Sequence, residues 1–245
     1  LSTVTNCSFG GYTHAMDGSG WEAFCLGKVS GKDKPGHIVV AGAGSGDGRA
    51  LRASLAVRPG SSESVVCNQS ETTTYNFWCR ALSDSPLSQG WHIEVLKGDS
   101  VVFAQSGHQV PGNLWNGRQQ STFAIHGAGQ VVFRVSRDHC DDSEPTWFDC
   151  YINHQDDAVF LDHINLSTVA EPAVFPGVLA VGLVKGSYSP DQEQAGAKPD
   201  VLIAGNGPIS FRLPELVARV AEWLSSDPLL DVAKVKQRLG KFPSF

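Results

Sequence analysis

A chain of 245 residues, 41% hydrophobic, 9% aromatic and 18% charged, is long enough to bury one or two cores. Nineteen Lys and Arg against 25 Asp and Glu give a net charge of -6, and no stretch gathers the cationic cluster a phosphate backbone requires, which argues against nucleic acid as a partner. The longest apolar run, Ala173 to Val184, is broken by Pro176, Gly177 and Gly182 and falls short of the roughly 20 residues that cross a bilayer. Low charge and alternating patterns also exclude disorder and coiled coil.

In chain order, residues 1–48 predict strand, helix, strand. Thr3–Cys7 is extended; Gly20–Val29 holds a short helix with Trp21, Phe24, Cys25 and Leu26 on one side; His37–Ala41 is a buried apolar run. Such a βαβ pattern implies a parallel pair. The chain starts at Leu1 within a strand pattern, with no initiator Met and no signal peptide, and so reads as part of something longer.

Residues 49–166 change character. Short alternating segments at Ala53–Val57, Ser64–Cys67, Tyr75–Arg80, Trp91–Leu96, Val101–Gln105, Ser121–His126, Gln130–Ser136 and Trp147–Ile152 are punctuated by Gly, Pro, Asn and Asp. Strands at this spacing predict an antiparallel β-sandwich, most simply a jelly roll. From about residue 167 the α/β pattern resumes, with buried strands at Gly177–Gly182 and Asp200–Ala204. Ile209, Leu213, Val217, Val220 and Leu224 then form one helix face. A last helix has Asp231 as N-cap, Lys236 and Arg238 in its final turn and Gly240 at C′. The expected fold class is α/β: one discontinuous domain of residues 1–48 and 167–245 with flanking helices, interrupted by a β-sandwich domain of residues 49–166.

The six Cys include two pairs close in sequence, Cys67 with Cys79 and Cys140 with Cys150, either of which can be a disulfide; Cys7 and Cys25 read as small buried hydrophobes. His139, Cys140, Asp141 and Cys150 match no standard zinc spacing, so neither metal nor cofactor is expected. Asn-X-Ser triplets at Asn6, Asn68 and Asn165 are glycosylation acceptors only in a secreted eukaryotic protein.

Several segments resemble the C-terminal half of subtilisin-like serine proteases. Val4-Thr5-Asn6-Cys7-Ser8-Phe9-Gly10-Gly11 is similar to that family's substrate-binding strand. Pro35-Gly36-His37-Ile38-Val39-Val40-Ala41-Gly42-Ala43-Gly44-Ser45-Gly46 resembles its strand ending in A-G-N-E-G. Phe175-Pro176-Gly177-Val178-Leu179-Ala180-Val181-Gly182 looks like the next strand, and Tyr188-Ser189-Pro190, Lys198-Pro199-Asp200-Val201 and Ser210-Phe211-Arg212-Leu213-Pro214 follow in the family's order. Some secreted members carry a jelly roll after the A-G-N-E-G strand, and Trp147-Phe148-Asp149 resembles their return segment.

The resemblance implies a Ser-His-Asp mechanism with an oxyanion hole. It makes Ser210 the nucleophile position, Ser45 the oxyanion position and Ser8, Phe9, Gly10 and Gly11 a substrate-binding segment. The chain departs from the pattern at each catalytic point. The Asp and His motifs are absent, the family's G-T-S is Pro208-Ile209-Ser210, Arg212 replaces a small residue, and Ser45 replaces an amide donor. Ser210 also reads as a first-turn serine of a core helix, and Ser8–Gly11 as a strand followed by a turn. The expectation is a serine-peptidase scaffold inert by itself, a pseudoprotease or a C-terminal fragment, of extracellular or envelope origin. Its expected partner is a complementing N-terminal protease fragment or a second copy, joined through Thr3–Cys7, or a bound peptide or protein. The alternative is an extracellular binding module in which Trp78, Trp91, Trp115 and Trp147, with Asn113, Asn116 and Arg118, hold carbohydrate or protein.

Overall fold

A computed structural model describes residues 1–8, 10, 20–44, 49–82, 90–110, 117–140, 143–153, 156–164, 169, 172–184, 199–204 and 208–240. Among these the chain is mostly β, with several sheets and few helices, and it divides into two compact units.

The first unit holds β1 (Thr3–Cys7), α1 (Trp21–Val29), β2 (His37–Gly42), β12 (Val178–Leu183), β13 (Val201–Ile203), α2 (Ile209–Ser226) and α3 (Val232–Leu239). Its four strands are parallel in the order β1-β2-β12-β13, with Thr3 opposite His37 and Val178 opposite Val39. A parallel sheet is covered on both faces, so its inner strands are apolar throughout; β2 is buried from Ile38 onward and β12 over its whole length. On one face Val40, Leu179 and Val181 pack with Leu213, Leu216, Val220 and Leu224 of α2 and Val235 and Leu239 of α3; on the other, Val39, Ala41 and Ala180 pack with Ala173, Val174 and Phe175.

Two sites fix how closely these layers approach. Ser30 is buried, donates to the Gly177 carbonyl at 2.7 Å and accepts from Val39 N–H at 3.1 Å; a Cβ on Gly177 would stand 2.5 Å from the Ser30 carbonyl oxygen. A Cβ on Gly42 would stand 2.9 Å from Cγ2 of Ile209, so the first residue of α2 sits directly on the end of β2.

Three details differ from the sequence expectation. In α2 the buried face runs through Leu216, with Val217 only partly buried. In α1 the side shared by Trp21, Phe24 and Leu26 is not buried as a whole: Leu26 packs on the core, while Trp21 and Phe24 stack on each other at 5.9 Å and stay exposed. Gly240 caps α3 in a right-handed conformation, φ -62°, bonding back to Lys236 and Arg238, so no left-handed C′ residue is needed.

The second unit is antiparallel. It comprises β3 (Arg52–Val57), β4 (Ser62–Gln69), β5 (Thr73–Leu82), β6 (Trp91–Lys97), β7 (Ser100–Ser106), β8 (Arg118–Ile125), β9 (Gly129–Arg137), β10 (Thr146–Ile152) and β11 (Ala158–Phe160). Its sheets have the orders β3-β10-β5-β8 and β11-β4-β9-β6-β7. Inward residues alternate along each strand and meet in an aromatic core, with Tyr75 edge-on to Phe133 at 4.7 Å, Phe103 stacked on Phe123 at 4.0 Å and Phe77 on Phe148 at 5.6 Å. None of the six cysteines forms a disulfide. Cys67 contacts the Tyr75 hydroxyl at 3.2 Å, and burial pushes its thiol up to about 11 and that of Cys79 to about 12.

Candidate functional site

In a parallel sheet, ligands and reacting groups collect at the carboxyl ends of the strands. Ser210 lies at that end. It is the second residue of α2, half-buried, just after the Ile209 side chain that rests on Gly42. The N-cap is Pro208, whose missing N–H costs nothing there, and no side chain caps the helix. Ser210 is thus a first-turn serine near the helix N-terminus, where the peptide dipoles favour negative charge.

A nucleophilic hydroxyl needs a base within about 2.6–3.2 Å. Among the described residues the Ser210 hydroxyl has no such partner. Arg212, two residues on, is paired with Glu215 at 3.1 Å. The described histidine of this unit, His37, opens β2 and is bonded to Thr3 Oγ1 at 2.9 Å. Since β2 runs from His37 to Gly42, some five residues at about 3.3 Å each separate the imidazole from Ser210's end of the sheet.

Ser8, just past β1, is exposed and donates to Asn6 Oδ1 at 2.8 Å; Gly10 is half-buried. Ser45, Phe9 and Gly11 lie outside the described residues. Among the described residues strand β1 is an edge of the sheet, and its Thr3, Thr5 and Asn6 are exposed. Among the described residues no group of three or more His, Cys, Asp or Glu is placed to hold a metal, and no helix is long and apolar enough to cross a membrane.

In the antiparallel unit the tryptophans have separate fates. Trp91 is core and donates to Gln119 at 2.7 Å. Trp78 is 2% exposed, with the Arg118 guanidinium 5.6 Å from its ring. Trp147 is 41% exposed, with Arg80 at 5.1 Å over its ring. Trp115, Asn113 and Asn116 lie outside the described residues.

Sequence reasoning missed the densest polar cluster of this unit. Asp149 on β10 is fully buried and receives Arg52 at 2.9 Å, Arg80 at 2.6 Å and the Ser54 hydroxyl at 2.5 Å. Burial alone would raise its pKa, but Arg52, Arg80 and Ser54 more than offset that and hold the carboxyl below its ordinary range.

A solved structure of Clostridium perfringens CspB protease superposes with a TM-score of 0.69 at 17% identity, over 96% of this chain and 58% of that one. The chain therefore spans less than two thirds of that neighbour's length. A second structure, the Aeromonas hydrophila PliG periplasmic inhibitor of g-type lysozyme, aligns at a TM-score of 0.29 and 10% identity over 42% of this chain and 86% of its own. No protein-family profile and no curated protein sequence matches.

These findings correct the family expectation. A likeness at 17% identity to a protease structure carries a fold and no family, so membership of the subtilisin-like serine proteases does not stand. The physical reason lies in the motifs themselves. Gly, Pro and Ser recur wherever buried parallel strands end in tight loops and helix starts, and short matches built from them report local geometry as much as descent.

Proposed function

We propose that this chain is a protease-related scaffold that performs no proteolysis by itself. The observation that carries the reading is the Ser210 hydroxyl, at the carboxyl end of the parallel strands with no base beside it among the described residues. Without a base to take its proton, a serine is a weak nucleophile. The likeness to a protease fold supports the first half of the reading, and the solitary serine the second. The test is hydrolysis of fluorescently quenched casein together with labelling by a fluorophosphonate. Neither signal is expected above that of Ser210→Ala; turnover that disappears in Ser210→Ala overturns the reading.

The partner we propose is an extended strand laid along the open edge of β1, from a complementing polypeptide or a second copy of the chain. An exposed strand edge offers unpaired N–H and C=O groups, and strand addition satisfies them. Thr3 N–H donates to the Gly36 carbonyl, so the N–H groups of Thr3 and Thr5 face β2 and that of Asn6 faces the open edge. Asn6→Pro removes a donor from that edge and should weaken any assembly seen by light scattering, whereas unchanged assembly rules out this edge.

A second reading rests on the half-exposed Trp147. Together with Arg80 it gives the antiparallel unit, whose strand order is that of a jelly roll, a surface for a carbohydrate or protein ligand. Binding to a glycan array that is lost in Trp147→Ala supports it, and an array silent for the intact chain counts against it.

A further inference from the structure

Helices α2 and α3 turn charged and polar residues to water: Glu215, Arg219 and Glu222 on α2 and Lys234 and Gln237 on α3 are exposed. Helix α1 differs. Leu26 packs on the core, yet Trp21, Phe24 and Val29 are 43%, 50% and 51% exposed. Positions 21, 24 and 28, at i, i+3 and i+7, share one stripe with Val29 beside it. Trp21 stacks on Phe24, and the Lys28 ammonium stands 4.5 Å over the Phe24 ring. Large apolar side chains grouped in this way form a patch, which needs a reason that a single exposed residue does not.

The charges beside the patch are mostly of one sign. Lys28 and, in the turn after the helix, Lys32 and Lys34 are exposed, and none of the three is in an ion pair among the described residues. Over residues 21–34 these three lysines meet two carboxylates, Glu22 and Asp33, which leaves a surplus of one positive charge on a chain whose net charge is -6. Charges more than about 8 Å away are largely screened at physiological salt, so an approaching surface meets the local surplus rather than the total. Aromatic rings suit either a protein interface or a bilayer, but lysine is depleted from protein interfaces, where its ammonium must lose water. At a lipid surface the stem lies along apolar groups and the ammonium stays hydrated among phosphates.

We propose that the exposed side of α1, with the turn that follows it, docks on an anionic lipid surface. Trp21, Phe24 and Val29 enter the headgroup layer, and Lys28, Lys32 and Lys34 meet the lipid phosphates. The contact is peripheral, because α1 has nine residues and no described helix is long and apolar enough to cross a membrane. So short a face with three lysines binds reversibly and with strong dependence on salt. Neither the β1 edge nor Ser210 takes part in it.

The test sediments the intact chain with vesicles of phosphatidylcholine alone and of phosphatidylcholine mixed with phosphatidylglycerol. Binding is expected to the mixed vesicles only, with release as salt is raised. Lys28→Gln, Lys32→Gln and Lys34→Gln combined should weaken it by up to about a hundredfold, at about fivefold per lysine. Phe24→Ser, at an exposed position, should lose binding while melting as the parent does. Acyl chains brominated near the headgroup should quench tryptophan fluorescence in the parent and not in Trp21→Phe, which keeps an apolar ring but removes the reporter. Equal binding to both vesicle types, binding unchanged in the lysine variant or in a folded Phe24→Ser, or quenching that persists in Trp21→Phe each overturn the proposal. Sedimentation with neither vesicle also overturns it and leaves the patch to a protein partner.

Discussion

The two units solve the burial of backbone in different ways, and their polar interiors differ accordingly. In the parallel unit both faces of the sheet are covered, β2 and β12 are apolar almost end to end, and the buried polar groups are few, chiefly Ser30 and Asp231. In the antiparallel unit Arg52, Gln69, Thr73, Asn76, Gln119, Arg137, Thr146 and Asp149 are all buried. The lesson is that antiparallel alternation leaves every second side chain outside the aromatic core. Of the buried polar residues of this unit, Arg52, Asn76 and Asp149 lie on that outer face, where register decides which polar groups meet, whereas Gln69, Thr73, Gln119, Arg137 and Thr146 sit in the inward-facing rows.

The largest test of this contrast is Asp149→Asn. It keeps the shape and removes the charge, leaving Arg52 buried beside a neutral amide. Breaking a buried pair from one side costs about 3–5 kcal/mol. Urea denaturation should record the loss, and hydrogen exchange should place it in β3, β5 and β10. Because the folded pKa of Asp149 lies below its unfolded value of about 3.9, its stabilisation is present above that value and lost as pH falls through the folded one. The variant's acid limb should therefore be flatter.

The matching experiment in the parallel unit removes apolar volume instead. Leu213, fully buried where α2 meets the sheet, should cost about 2–5 kcal/mol as Leu213→Ala, with exchange protection falling in β2, β12 and α2. No pH dependence should accompany it. A pH-dependent loss would mean that this core also leans on ionised groups.

What the sequence revealed follows the same division. Apolar runs made β2 and β12 readable, and alternation made the sandwich strands readable, because both patterns are local. Three-residue β11 is too short to carry a period. Arg52 and Arg80 lie 97 and 69 positions from Asp149, so their meeting is a property of register that no window of sequence contains. The same holds for the candidate site. Ser210 was legible as the start of an amphipathic helix, but the contact of Ile209 with Gly42, which sets it at the carboxyl end of the strands, joins distant segments. Trp21 and Phe24 were legible as sharing one side of a helix, but their stacking on each other in an exposed position was not.

A smaller effect should follow from Gly177→Ala. The new methyl would meet the Ser30 carbonyl, which is backbone and has little room to yield, so the layers must part and strain the Ser30 bonds to Gly177 and Val39. Overpacking of this kind costs about 1–3 kcal/mol. A melting temperature unchanged from that of the parent would show that this approach is looser than the geometry implies.

The smallest effect separates charge from hydrogen bonding within the parallel unit. Asp231 caps α3 by accepting from Lys234 N–H at 2.8 Å and ties in the preceding turn by accepting from Asp33 N–H at 3.2 Å. Burial raises its pKa, and the N–H groups of Lys234 and Asp33 more than offset this, so it ionises below its ordinary range. Asp231→Ala loses both bonds and should cost about 1 kcal/mol. Asp231→Asn keeps an acceptor oxygen of equal capping quality and should cost less at neutral pH. The sign of the linkage then distinguishes them from the parent: its Asp231 contribution persists above about pH 3.9 and disappears as pH falls through the lower folded value, whereas neither variant has that step. Thermal melts across the acid range should show the parent converging on Asp231→Ala at the lowest pH. If the gap between them stays constant with pH, the cap acts through packing alone and the carboxylate's charge contributes nothing.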